Sequence, residues 1–296
     1  MEPPAEKAVL SPTGLGVDAS AQTSLRTIRL ILAYEGTRYS GWQIQPGRQT
    51  VQGTLAAAIR SITGEPVVPR GASRTDAGVH ALGQVAAFET RAGLDPHRWR
   101  AALNARLPDD ICVVEAAHAT DGFDPVGAAR SKRYRYRIHD AAWRPVFDRR
   151  LVWQWRSSLD LGAMQQAAQV LVGEHDFTSF ETAPSQRLSR VRTISALTVA
   201  RVGQNVGFSG HDGGAGPRPV DPELWIEVEG NGFLHNMVRI IVGTLVMVGI
   251  GRRDPSWVAT ALAARSRAAA GPTAPPQGLV LLSIALDERI GARPDR

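Results

Sequence analysis

At 296 residues, 43% of them hydrophobic, 21% charged and 6% aromatic, the chain has the composition of an ordinary globular protein of one large or two medium domains, neither disordered nor fibrous. Its longest apolar run, Met237 to Ile250, contains Arg239 and falls short of the ~20 residues a bilayer demands, so a buried helix and no membrane span are expected. The balance is basic: 34 Lys+Arg against 28 Asp+Glu give +6, and every base except Lys7 and Lys132 is an arginine. That permits an RNA partner, since guanidinium groups grip phosphate and stack on bases, although a GC-rich genome writes the same bias.

In chain order, residues 1–25 hold Pro, Ser, Gly and Ala without the apolar core of a signal peptide, and a disordered tail is expected. Thr27 to Tyr34 reads as a strand. Thr50 then caps a helix whose Val51, Leu55, Ala58, Ile59 and Ile62 recur at helical spacing up to Gly64. Gly83 to Glu89 is a second strand, Asp95-Pro96 opens a helix ending near Leu107-Pro108, and Ile111 to Ala117 is a third strand. Further on come a helix over Leu159 to Val172 and strands over Ile194 to Arg201 and Leu224 to Glu229. Gly203 to Pro222, rich in Gly, Pro and Asp, reads as a long mobile hairpin loop. Helices over Gly232 to Ile250 and Pro255 to Arg265 and a strand over Leu279 to Leu286 close the chain, with a short tail at 291–296. The fold class is α/β (α+β): two related lobes, 26–130 and 131–290, around a central sheet. The sheet is expected to be mainly antiparallel, because several connections are too short for crossover helices.

Between 129 and 156 nine bases face only Asp140 and Asp148, a larger excess than the whole chain's +6. Ser131 to His139 alternates, with Tyr134, Tyr136 and Ile138 on one face of a strand and Arg133, Arg135 and Arg137 on the other. Guanidinium groups in such a row suit an RNA backbone; a solvated, aggregation-resistant edge strand has the same pattern.

The segment Ala72-Ser-Arg74-Thr-Asp76-Ala-Gly78-Val-His80 differs in kind. Small residues surround an Arg-x-Asp pair, and Gly78 permits a positive φ or the close approach of a ligand. A tight turn in which Asp76 bonds its own backbone is the competing reading. No Walker loop or Gly-x-Ser-x-Gly elbow occurs, and the seven histidines never pair at ligand spacing, so neither cofactor nor metal is expected. The single cysteine, Cys112, offers no intramolecular disulfide and points to a reducing, cytoplasmic compartment.

An ordered set of blocks resembles the tRNA pseudouridine synthase A family: Tyr34-Glu-Gly-Thr-Arg-Tyr39-Ser-Gly-Trp42-Gln-Ile-Gln45-Pro, Thr50-Val-Gln52, Arg74-Thr-Asp76-Ala-Gly-Val-His80, Asn104-Ala-Arg-Leu-Pro108 and Lys132-Arg-Tyr134-Arg-Tyr136. It continues with Gly173-Glu-His-Asp176-Phe-Thr-Ser-Phe180, Asn231-Gly-Phe-Leu-His235-Asn-Met-Val-Arg239 and Ala274-Pro-Pro-Gln-Gly278-Leu279. The resemblance implies isomerisation of uridine to pseudouridine at positions 38, 39 and 40 of the tRNA anticodon stem-loop, by a homodimer with an RNA-binding cleft and without a cofactor. It implies Asp76 as the catalytic carboxylate, Arg239 as its ion-pair partner and Arg74 as an RNA contact holding the flipped base. By the same resemblance Tyr134 stacks on the uracil and Leu279 lines the pocket, while Arg133, Arg135 and Arg137 become candidate backbone contacts. A charge such as Arg239 inside an apolar helix is tolerable when paired, and a guanidinium nearby favours an ionised carboxylate. Ser73 and Glu35, where many members carry Gly and Asp, and the segment around 203–220 are departures expected to leave the chemistry untouched. The rivals are an RNA-binding protein without catalysis and a metal-dependent hydrolase built on Asp76, His80 and His235.

Overall fold

The computed structural model describes residues 24–182, 189–202 and 223–287. The loop expected over 203–222, the tail over 291–296 and all but the last two residues of the N-terminal tail lie outside the described residues.

Strand β1 (Arg26–Tyr34) buries Ile28, Leu30 and Leu32 on one face, the period-2 alternation of a sheet covered on one side. Helix α1 (Val51–Thr63) begins where Thr50 Oγ1 accepts the Gly53 N–H at 3.2 Å and ends at Gly64, whose φ of +76° breaks the helical path. The two-residue β2 (Arg70–Gly71) pairs with β3 (His80–Thr90), and α2 (Pro96–Asn104) leads to β4 (Ile111–Ala119). Next come β5 (Ala129–His139), β6 (Trp153–Gln154), α3 (Leu161–Gln169), β7 (Gly173–Asp176), β8 (Val191–Val202) and β9 (Glu223–Gly230). Helices α4 (Met237–Gly249) and α5 (Trp257–Ala263) precede β10 (Leu279–Leu286). Three short strands, β2, β6 and β7, were not expected; two to four residues are too few to carry a readable alternation. Helix α4 starts five residues later than the expected Gly232, because Asn236 adopts a left-handed φ of +60° that a continuing helix cannot pass through.

One sheet unites the described chain, in the order β4-β1-β3-β10-β5-β9-β8-β7. Neighbours along it are antiparallel except β3 and β10, which run parallel through His80–Val280 and Ala81–Leu281. The last strand thus lies between strands of the two halves. A single apolar cluster spans both, from Leu30 and Trp99 on one side to Ile226 and Leu245 on the other.

Strand β5 alternates as its sequence predicts, but its arginines are not free. Arg133 and Arg135 both bond Glu227, Arg137 bonds Glu223 and reaches Asp148 at 3.1 Å, and the Arg135 guanidinium lies 3.6 Å over the Trp225 ring centroid. Glu223 and Glu227 come from β9, the strand paired with β5. The row expected to meet phosphate is therefore paired with carboxylates in this structure, with the Arg133 side chain still 51% exposed. Alternation turns it away from the face that carries Tyr134, and cross-strand carboxylates satisfy it.

Candidate active site

The segment 72–79 joins β2 to β3, and the end of β1 together with the residues after it braces the segment from beneath. Tyr34 Oη and Thr75 Oγ1 share a buried hydrogen bond of 2.7 Å, the Trp42 N–H donates to the Thr75 carbonyl at 3.0 Å, and the Gly78 N–H donates to the Tyr39 carbonyl at 3.3 Å. Gly41, at φ +89°, passes so close beneath that a Cβ there would stand 2.7 Å from the Thr75 carbonyl oxygen. Fully buried Gln84 grips Ser73 at both ends: its Oε1 accepts the Ser73 N–H at 3.1 Å and its Nε2 donates to the Ser73 carbonyl at 2.6 Å. His80 closes the far side. Its Nδ1 accepts the Gly36 N–H at 3.0 Å, which leaves the proton on Nε2 for the Gln277 carbonyl at 3.2 Å. Burial lowers its pKa and favours this neutral ring.

The held loop presents Asp76. The backbone turns through the Val79 N–H to the Asp76 carbonyl, 3.1 Å, with Gly78 at φ +78°. The carboxylate instead faces Arg239 Nη1 and His235 Nε2, each 3.6 Å from one of its oxygens, and its side chain stays 28% exposed. Arg239 rises from the first turn of α4. Its Nε donates to the Ala274 carbonyl at 2.7 Å and its Nη1 to Asn236 Oδ1 at 2.6 Å, so a guanidinium in an apolar helix is satisfied within the protein.

Tyr134 projects from β5 into the same space. Its ring meets Phe233 edge-on, with centroids 5.3 Å apart, and its hydroxyl bonds Ser73 Oγ at 2.8 Å. Burial, aided by the nearby Asp76 charge and opposed by the Ser73 bond, pushes its pKa up to about 12, so the phenol is neutral in the resting protein. Asp76, Tyr134, Arg239 and Leu279 line one cavity of about 470 Å³, with Arg74 at its margin. Arg74 is exposed and has no ion-pair partner among the described residues. The structure thus brings together five of the expected site residues and leaves Arg133, Arg135 and Arg137 on the opposite sheet face. An opening of this size admits a nucleoside, and it pairs an exposed carboxylate with a fixed cation and an aromatic wall.

A model of the tRNA pseudouridine synthase family matches residues 30–124 and 167–287. Proteins named tRNA pseudouridine synthase A from Geotalea uraniireducens and Brevibacillus brevis are each 43% identical to this chain over 260 residues, 88% of this chain and 99% of theirs. One from Myxococcus xanthus is 44% identical over 254 residues, 86% of this chain and 89% of its own. The chain belongs to the tRNA pseudouridine synthase family.

Several residues around this synthase's cavity escape sequence reasoning. Ser73, expected to leave the chemistry untouched, is bonded to Tyr134, whereas Glu35 lies 3.6 Å from Arg150. Phe233 and Asn236 stand inside a block singled out for Arg239, and His235, expected only as a metal ligand of the rival reading, faces Asp76. Lys132 shares the cavity with Tyr134 by strand parity, and its Nζ donates to the Ala72 carbonyl at 2.9 Å. The hydrolase reading loses a ligand, because both ring nitrogens of His80 are engaged by backbone. Among the described residues no group of three or more His, Cys, Asp or Glu side chains is gathered to hold a metal ion. Nor is any described helix long and apolar enough to cross a membrane.

Proposed function

We propose that this synthase isomerises uridine to pseudouridine at positions 38, 39 and 40 of the tRNA anticodon stem-loop, with Asp76 as its catalytic carboxylate. The observation that carries the reading is the convergence of Asp76, Arg239 and Tyr134 on one nucleoside-sized cavity. A base in a paired stem must leave its stack to reach such a site, which costs a few kcal/mol and calls for an aromatic or apolar pocket. Tyr134, edge-braced by Phe233, and Leu279 supply that pocket, and exposed Arg74 at its rim holds the flipped nucleotide by its phosphate.

Asp76 then either attacks C1′ or removes the 2′ proton, and the C1′–N1 bond breaks. The uracil turns and C5 joins C1′ as the Asp76–C1′ bond breaks or the 2′ proton returns; the C5 proton then departs to solvent while N1 takes one up, so every heavy atom of the product comes from the substrate. As a neutral phenol, Tyr134 accepts the C5 proton only while passing its own to Ser73 Oγ at 2.8 Å, whose hydroxyl gives one up in turn to water in the adjoining cavity.

Unmodified tRNA tritiated at C5 of uridines 38–40 tests the reading. Wild-type protein releases tritium and Asp76→Asn does not; release by that variant at the normal rate refutes the assignment. A homodimer is part of the proposal, supported by an exposed apolar group at Trp143, Val146 and Phe147 that a second copy would cover. Light scattering on Phe147→Asp, expected to report monomer, checks it. A tRNA substrate and a single cysteine fit a cytoplasmic setting.

A further inference from the structure

We propose that Asn236 is a positioning residue that aims the Arg239 guanidinium at Asp76, with Thr182 as its outer support. The proposal rests on Asp76 being the reactive carboxylate. Asn236 is one of two described non-glycine residues at positive φ, and it sits where α4 begins. An L-residue with a Cβ avoids this conformation, glycine takes it freely, and asparagine is the side chain that tolerates it while keeping polar atoms. Both ends of the amide are used. An arginine can only donate, so the atom 2.6 Å from Arg239 Nη1 must be Oδ1, and Nδ2 then donates to Thr182 Oγ1 at 2.8 Å.

Thr182 also meets His235, its Oγ1 lying 3.1 Å from Nδ1 and its N–H donating to the His235 carbonyl at 3.4 Å. A clamp runs from Thr182 through Asn236 to Arg239, and the last link faces Asp76 Oδ2 at 3.6 Å. Arg239 has one further anchor, the Ala274 carbonyl on its Nε, which fixes the stem of the fork and leaves its swing to Asn236.

The residue choice follows. Glycine would suit the backbone and lose the clamp. Aspartate would suit the backbone and compete with Asp76 for the guanidinium. Asparagine alone offers Arg239 a neutral acceptor from a left-handed backbone.

Asn236→Gly separates positioning from folding, because it removes the amide where glycine is at no conformational disadvantage. Tritium release from tRNA should show kcat reduced about 10- to 100-fold, the scale of misaligned catalytic groups, with KM and melting temperature unchanged. Asn236→Asp should lose kcat as well, by capturing Arg239. A crystal structure of Asn236→Gly gives a reading independent of activity: the guanidinium should swing away from Asp76. Wild-type kcat in Asn236→Gly, a loss expressed as KM or as melting temperature, or an unmoved guanidinium would each overturn the proposal. Were the wild type itself silent on this tRNA, the proposed substrate would fall, and the crystal structure would decide the clamp alone.

Discussion

Ser73→Ala probes the contact between the Asp76 loop and Tyr134. Both residues are buried, Ser73 at 4% and Tyr134 at 6% exposure, and their hydroxyls meet at 2.8 Å. Removing Oγ strips the phenol of its hydrogen-bond partner among the described residues. Leaving a buried hydroxyl unsatisfied costs about 1–3 kcal/mol, and the adjoining cavity lets water recover part of it, so a net loss near 1 kcal/mol is expected. For a chain of this size that lowers the melting temperature by about 1–2 °C. The lost bond also lowered the phenol's pKa, so ultraviolet titration should show Tyr134 ionising at higher pH in the variant than in the wild type. In the tritium-release assay the variant should be slowed, since the ring loses one of its anchors. A variant that melts, titrates and turns over like the wild type would refute the coupling of loop to tyrosine.

Burial lowers the pKa of His80 from 6.5, so the unfolded chain takes up its proton first as the solution is acidified. The stability held above pH 6.5 is then lost as pH falls through the folded value, and melting curves from pH 7.5 to 5 should show the decline flattened in His80→Asn. Gly36→Ala would place a Cβ 2.0 Å from the Val79 carbonyl oxygen, and the resulting overpacking should cost about 1–3 kcal/mol by chemical denaturation. Replacing Arg133, Arg135 and Arg137 with Gln should lower the melting temperature while leaving the salt dependence of tRNA binding unchanged, because the three are matched by Glu223, Glu227 and Asp148. A flattened salt slope would return those arginines to the RNA.

Much of this architecture is local and therefore readable. The cap at Thr50, the left-handed stop at Gly64 and the alternation of β5 depend on residues within a turn or two of one another, and each forms where its sequence places it. The Asp76 segment is likewise legible, since small residues and Gly78 are what a tight, solvent-facing turn requires. The boundary of α4 was not, because the left-handed Asn236 answers to Thr182, more than fifty positions earlier, and to Arg239. Three strands were too short for any periodicity to register.

The net basic balance and the concentration of bases between 129 and 156 are properties of the chain by itself, as is the parity that separates arginines from tyrosines along β5. Which partners meet each face is a property of the tertiary structure. Strand β9 arrives from about ninety residues away to neutralise the arginines, β10 returns from the chain's end to lie beside β3, and Ser73 comes within 2.8 Å of Tyr134. Periodicity assigns a side chain to a face, but only long-range strand pairing decides what stands opposite, and at this site that decides which charges remain for a substrate.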